Sequence, residues 1–373
     1  MPQCALLDYI EQLPDPRQAK KCRHLFSEVV FMALCGILCG ADDWNSIELY
    51  ARTREEWFRR YLKLPGGIPS HDTFNRLFSL LNPTSFHDLF IHWVQHTLVK
   101  TELSGVIAVD GKTQRGSRSE TAPTSHTVNA WSTELGICLG QEAVDAKSNE
   151  ITAVPTLLEK LAIKGCLVTA DAMSCQKKIA NQIINQEADY LLAVKKNQLT
   201  LHRAIEAHFS NYWVQNPDDL PNDPTFSATA DSTHSRGEYR RCWTHDVSGK
   251  PIFRAWGAKT VAAVQYDREA GQTKTTDVRY FISSREMSAN EVVRASRDHW
   301  QVENNLHWVL DVAFNEDQSR ARQGYAAKNL AVVRQVALNL LKQDTTEKVG
   351  IKNKRKGCGW SEKYLCHILG LII

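Results

Sequence analysis

The sequence predicts a mixed α/β protein. An all-helical N-terminal segment precedes an alternating strand-and-helix core, and a β-rich insertion stands ahead of one late helix. Three observations carry this reading. Residues 1–100 hold apolar and amphipathic runs at helical spacing, separated by a Gly/Pro turn. From Ser104 the pattern changes to short apolar runs, among them VIAVD and CLVTAD, that each stop on an acid. Residues 212–285 then become rich in Pro, Asp and Thr around short strand-like pieces.

A chain of 373 residues is long enough for about two domains and a sizeable core. Its 23% charged and 43% hydrophobic residues are those of an ordinary soluble protein. The net charge of +3 is too weak to name a nucleic-acid partner by itself. The opening MPQCALLDYIEQLPDPR lacks the basic-then-apolar order of a secretory leader. The longest apolar run, Val29 to Ala41, is too short to cross a bilayer. Ten cysteines occur without a C-x-x-C pair. The expectation is a reduced, cytoplasmic protein with no membrane partner and no zinc module.

Within residues 1–100, Leu25 to Gly40 is apolar and expected to be buried. Ser46 to Leu64 is expected as one amphipathic helix carrying Arg52, Arg54, Arg59 and Arg60 among Trp57, Phe58 and Tyr61. A Gly/Pro turn follows, then a short helix with Ser70 at its N-cap that stops near Pro83. This arrangement suits either a DNA-docking module or a helical packing domain. His92 and His96 lack the glutamate of a zinc-protease helix and are assigned no metal.

The core, residues 101–345, opens with GVIAVDGK, a strand ending on Asp110. HTVNAWS and GICLGQEAV continue it as an antiparallel meander. Asn149 or Ser148 can cap the helix EITAVPTLLEKLA. CLVTADAM is a strand ending on Asp171, and DYLLAVKKNQ is a strand that runs out on Lys195 and Lys196. After the insertion, Ala295 to Asp317 is free of Gly and Pro and reads as a helix. Its apolar side holds Val302, Leu306, Val309, Leu310 and Ala313. Its other side is odd: Arg297, Trp300, Asn304, His307 and Asp311 recur at helical spacing, with His299, Glu303 and His307 four apart. The final stretch, residues 346–373, is expected as a basic tail and short helix, with Lys352, Lys354, Arg355 and Lys356 meeting no acid.

Two buried strands that each end on an Asp need partners for those charges. Strand carboxyl ends are also where open α/β sheets place ligands. Together with Glu303 they make a spaced Asp–Asp–Glu set, which suits a hard divalent cation held by few carboxylates. Two such ions could activate water or a 3′-hydroxyl and stabilise the departing oxygen.

VIAVDGKTQRGS, KSNEITAVP, TADAMSCQK, YLLAVKKNQ and RDHWQVENNLHWVLDVAFNED resemble the blocks of the H-repeat-associated, ISAs-type transposases. The N-terminal LPDPR and LPGGIPSHDTFNRLF are similar to the helical domain that accompanies them. The resemblance runs from about Leu7 to the tail. It implies an RNase H-like mixed sheet with Asp110 on the first strand, Asp171 on the fourth and Glu303 on the helix after the insertion. It further implies Mg²⁺ or Mn²⁺, two ions in all, bound by those acids for DNA cleavage at element ends and strand transfer. The partners it implies are double-stranded DNA, as terminal inverted repeats and target, and further copies of the chain. Neighbouring families carry Tyr, Arg and Lys around the Glu, where this chain has Ser296, His299 and Leu310.

Lys112, Arg115, Lys195, Lys196, Arg297, His299, Trp300 and Asn304 are the expected DNA contacts. His307 is expected to support Glu303 by a hydrogen bond, and Asp311 to act as a further acid or an ion-pair partner. Glu316 and Asp317 are rival third acids. The arginines of Arg52 to Arg60 and the tail cations are expected to add salt-sensitive affinity for DNA. The alternative function is a transposase-derived regulator that binds DNA without cutting it.

Overall fold

The structure, a computed structural model, describes residues 5–18, 20, 22–118, 124–144, 149–216, 224–233, 236–270 and 273–371. Among the described residues six α-helices precede the first strand: α1 (Ala5–Ile10), α2 (Phe26–Leu38), α3 (Trp44–Thr53), α4 (Glu55–Phe58), α5 (His71–Leu80) and α6 (Pro83–Trp93), the last running into a π turn over Val94–Leu98. Apolar all round, α2 is buried along its whole length, as its sequence demands. The single helix expected over Ser46 to Leu64 is instead two. Arg54 leaves the helical conformation between α3 and α4, where its guanidinium reaches Glu362 Oε1 at 2.8 Å and the Gly359 carbonyl at 2.9 Å. Ser70 does stand at the N-cap of α5, although its side chain makes no capping hydrogen bond. Pro83 does not merely stop α5. It is the first residue of α6, capped by Asn82.

The core sheet has nine strands in the order β3-β2-β1-β4-β5-β9-β8-β7-β6. They are β1 (Val106–Gln114), β2 (Ser125–Ser132), β3 (Ile137–Val144), β4 (Leu167–Ala170), β5 (Asp189–Val194), β6 (Phe226–Thr233), β7 (Arg236–Asp246), β8 (Thr260–Ala270) and β9 (Thr273–Ser283). Pairing is parallel for β1 with β4 and β4 with β5, and antiparallel elsewhere. Helices α7 (Glu150–Glu159), α8 (Lys177–Asn185), α9 (Leu199–Gln215) and α10 (Pro251–Arg254) fall between strands. Asn149 caps α7 by accepting from the Ile151 N–H, and Ser148 lies outside the described residues.

Because β9 returns to pair with β5, the insertion extends the main sheet instead of forming a satellite. It also contains β6, which the sequence pattern gave no reason to expect. After it come α11 (Ala289–His299), α12 (Trp308–Phe314), α13 (Ala326–Gln343), α14 (Ile351–Trp360) and α15 (Glu362–Leu369).

One apolar core runs from the N-terminal helices through α13 into the sheet. Gly140 permits this, since a Cβ there would meet Ile91 Cγ1 of α6 at 2.6 Å. The C-terminal segment is not a free basic tail. Arg355 is buried, donating to the Ile37 carbonyl at 2.8 Å, to Asp42 at 2.7 Å and to the Ala313 carbonyl. Lys354 is buried beside Asp344 at 3.1 Å. Arg52, Arg54, Arg59 and Arg60 likewise each face a glutamate. Lys354 and Arg355 are therefore spent on holding the fold, which corrects the expectation for those two, and Arg54 is held by Glu362 and the Gly359 carbonyl, whereas Arg52, Arg59 and Arg60 stay largely exposed beside their glutamates.

Burial alone would raise the pKa of Asp344. Hydrogen bonds from Thr346, Tyr364 and Lys354 instead hold it well below the ordinary carboxylate range. A depressed folded pKa contributes stability that is complete above about pH 4 and is lost as pH falls through the folded value. Asp344→Ala leaves the Lys354 ammonium buried without its counter-charge. It is expected to cost about 3–5 kcal/mol in urea unfolding at neutral pH, with the difference from wild type shrinking in acid.

Candidate metal centre and nucleic-acid groove

Sheet register sets the first two acids. The parallel β1–β4 ladder ends at the pair Val109–Ala170, and the next residues are Asp110 and Asp171. Neighbouring strands lie about 4.8 Å apart, so two carboxylates leave the sheet side by side. Asp171 Oδ1 accepts from the Met173 and Ser174 N–H groups at 3.0 and 3.2 Å, which fixes its rotamer in the turn after β4. Burial pushes Asp110 up to about 7, and the charges of Asp171, Glu150 and Glu303 add to the rise. Glu150 approaches from α7 over Gly111, where any Cβ would collide with its carboxylate.

The helix that delivers Glu303 differs from the expected unbroken run of Ala295 to Asp317. It starts earlier, at Ala289, behind a capping box made by Ser288 and Glu291. It widens into a π turn over Glu303–His307, resumes as α12, and ends at Asn315 in the left-handed conformation. Asn315, Glu316 and Asp317 thus lie beyond it. The extra residue in the π turn re-aims the side chains on either side of it. His307 Nδ1 sits 3.1 Å from Glu303 Oε2 and 3.6 Å from Asp110 Oδ2. Candidate ligand atoms of Asp110, Glu303 and His307 all lie within 4.8 Å of one another. Asp110, Asp171 and Glu303 line one cavity of about 380 Å³, together with Lys195, His299 and Trp300.

Other expected residues separate into two groups. Lys112 is buried, with its ammonium 2.7 Å from Asp311 and 3.7 Å from Glu316. It is therefore an internal ion pair, not a phosphate contact, and Asp311 is its partner. Glu316 is buried between Lys112 and Arg334, and Asp317 accepts from the Arg115 N–H at 3.1 Å, so neither rival acid reaches the cavity. His299 is tied to Thr169 Oγ1 at 3.0 Å, and burial lowers its pKa.

Lys195 and Lys196 are exposed and have no ion pair among the described residues. Arg115 is exposed and reaches Asp317 at 3.5 Å. Trp300 is 51% exposed at the end of α11. With Arg297 and Asn304 it opens onto a second groove whose far wall is the insertion, through Arg240, Tyr266 and Arg268. Arg279 of β9 borders both spaces and lies 4.8 Å over the Tyr266 ring. The Tyr266 hydroxyl in turn meets Ser296 Oγ at 3.4 Å. Sequence reading missed Tyr266 and Arg279, because nothing in a strand's own pattern says which helix it will face.

The donor set can be tested for a metal. Three carboxylates line one cavity, and burial, with the neighbouring charges of Asp171, Glu150 and Glu303, raises the proton affinity of Asp110. Such oxygen donors fit a hard divalent cation.

The residues 7–94 match the DDE_Tnp_1-associated family, and residues 101–340 match the Transposase DDE domain. The chain belongs to the DDE transposases, whose catalytic domain is RNase H-like and whose activity implies a divalent metal and DNA. Within them it stands with the H-repeat-associated transposases. It is 40% identical to the "Putative transposase YncI" of Escherichia coli O157:H7, over 98% of this chain and 94% of that protein. It is 37% identical to the "H repeat-associated putative transposase YhhI" of Escherichia coli (strain K12), over 98% of this chain and 97% of that one. No helix among the described residues is long and apolar enough to cross a membrane.

Removing a like charge beside Asp110 favours its ionised form. In the metal-free protein, Asp171→Asn is expected to lower the Asp110 pKa from about 7, with burial keeping it above an ordinary carboxylate. Carboxyl-carbon NMR titration of Asp110 reads this directly.

Proposed function

We propose that this transposase cuts the DNA strand at the ends of its element and joins the freed 3′-hydroxyl to target DNA. The observation that carries the reading is the convergence of Asp110, Asp171 and Glu303, from three distant segments, on one cavity. In the first step water attacks the scissile phosphorus, leaving a 3′-hydroxyl and a 5′-phosphate. In the second, that hydroxyl attacks a target phosphodiester and displaces a target 3′-oxygen, so each step exchanges one P–O bond for another.

Asp110, Asp171 and Glu303 would hold Mg²⁺ or Mn²⁺, two ions in all. Bound there, such ions would lower the pKa of the attacking hydroxyl and neutralise charge on the leaving oxygen. The chain's own part is to fix the three carboxylates on a rigid sheet and helix, and to present cations to the flanking phosphates. Lys195, Lys196 and Arg279 are suited to that second task, and Trp300 offers a ring for a base to stack on. Recognition of terminal inverted repeats and pairing of two ends by separate copies of the chain complete the proposal.

Asp110→Asn, Asp171→Asn and Glu303→Gln are each expected to reduce divalent-dependent cleavage of an end-containing duplex by roughly 10³-fold, equivalent to about 4 kcal/mol, while leaving binding intact. Wild-type-like cleavage in any of them would remove that acid from the proposal. Specific end binding by the wild type with no scission under Mg²⁺ or Mn²⁺ would favour a regulator.

Salt dependence separates the two kinds of lysine. Lys195→Ala and Lys196→Ala should each flatten the plot of log affinity against log salt by about 0.9. Lys112→Met should destabilise the fold and leave that slope unchanged.

A further inference from the structure

The sheet carries a row of polar side chains where a core would ordinarily be apolar. Register aligns Asp110 of β1 with Asn129 of β2, and Asn129 with Gln141 of β3, so all three share one face. Gln335 of α13 lies over the row, and His307 and His87 stand at its two ends. Asn129, Gln141 and His87 are fully buried, and Gln335 and His307 nearly so. The contacts form an unbroken chain. Gln141 Nε2 is 3.1 Å from His87 Nε2, and Gln335 Nε2 is 2.7 Å from Gln141 Oε1 and 2.6 Å from Asn129 Oδ1. At the near end, Asn129 Nδ2 is 3.4 Å from His307 Nε2.

The two directions differ at Gln335, although the one favoured there puts the His87 hydrogen on Nδ1, a buried nitrogen with no hydrogen-bond partner among the described residues. With Gln335 donating to both neighbours, its two amide hydrogens are used and its Oε1 lies 3.4 Å from the Cys138 thiol, whose hydrogen it shares with the Gly140 carbonyl at 3.4 Å. Turned round, the Gln335 amide would face only that sulfur. At least one amide hydrogen would then be orphaned in a dry interior, at about 1–3 kcal/mol. The favoured direction puts the Asn129 amide N–H against His307 Nε2. That nitrogen must then be the acceptor, and Nδ1 must carry the hydrogen.

We infer that His307 is a positioning residue held as the neutral Nδ1–H tautomer, a donor to Glu303 with Asp110 3.6 Å away, and that this excludes its own imidazole from the metal's ligands. A ligating histidine normally donates its other ring N–H to a carboxylate or carbonyl. His307 faces the reverse, an amide donor. His307 thus leaves the three acids to bind through oxygen, which favours hard cations, and Zn²⁺ gains no nitrogen from it. The inference rests on the metal reading proposed above.

Nitrogen-15 NMR of the metal-free full chain, with the His307 signals assigned by their loss in His307→Gln, tests the tautomer. The expected result is a protonated-type shift at Nδ1 and an unprotonated one at Nε2; the opposite pair would overturn the inference. Asn129→Asp replaces the donor by an acceptor, and Nε2 should then become protonated. No change at Nε2 would show that the relay does not set the tautomer. Should that variant not fold, the wild-type shifts still decide.

With Mn²⁺ bound to ¹⁵N-histidine protein, pulsed EPR should show no histidine nitrogen coupling; a coupling that disappears in His307→Gln would overturn the assignment. In Asn129→Asp, Zn²⁺ should bind roughly 10- to 100-fold more tightly than in wild type, and that gain should vanish once His307→Gln is added. An unchanged Zn²⁺ affinity would count against the inference. Failure of wild type to take up Mn²⁺ would overturn the metal reading, and the nitrogen shifts, which need no metal, distinguish that failure from a wrong tautomer.

Discussion

The parallel pairing of β1 with β4 is the constraint from which the site follows. It is a short ladder, four pairs from Val106–Leu167 to Val109–Ala170. Because it ends one residue before both acids, it delivers Asp110 and Asp171 together where the two strands part. Parallel neighbours require a crossover, and here that crossover contains β2, β3 and α7. The same excursion supplies Asn129, whose amide faces His307, and Glu150, whose charge is felt by Asp110. A slip of the ladder by one residue would turn one acid to the opposite face and separate the pair.

Much of this was legible in the residues. Apolar runs that stop on an acid pointed to the site, because a carboxylate at such a place must be given a partner, although only β4 ends there and β1 runs on past Asp110 to Gln114 as the partner of β2. The odd composition around Glu303 marked its helix for the same reason: imidazole, indole and amide are poor choices for a solvated face. What could not be read was pairing between distant segments. Lys112 follows Asp110 where a phosphate-binding lysine is expected, yet Asp311 of α12 and the buried Glu316 cover it. Lys354 and Arg355 look unpaired in sequence because their partners, Asp344 excepted, are backbone carbonyls and Asp42, over three hundred residues away in the case of Arg355. The π turn was invisible too, since it depends on what Glu303 and His307 meet across the cavity.

The insertion shows how a sheet can serve two purposes at once. Strands β9 to β6 lengthen the scaffold through ordinary antiparallel pairing, and their face toward α11 brings arginines and Tyr266 beside the acids. Several of these cations already share acids with one another: Arg240 and Arg268 both lie against Glu238, and Arg279 against Asp277. Their positions are thus held before any polyanion arrives, which reduces the ordering needed on binding.

The clasp of Arg355 on Ile37, Asp42 and Ala313, with Arg54 reaching back to Glu362, has a consequence for biosynthesis. A helical bundle at the start of a chain would ordinarily settle while the ribosome is still working. This one lacks α13, which packs on α2, α5 and α6, until all nine strands of the sheet have been made. These early helices consequently close late, and a nascent chain that has not yet made α13 exposes apolar surface that this helix later covers.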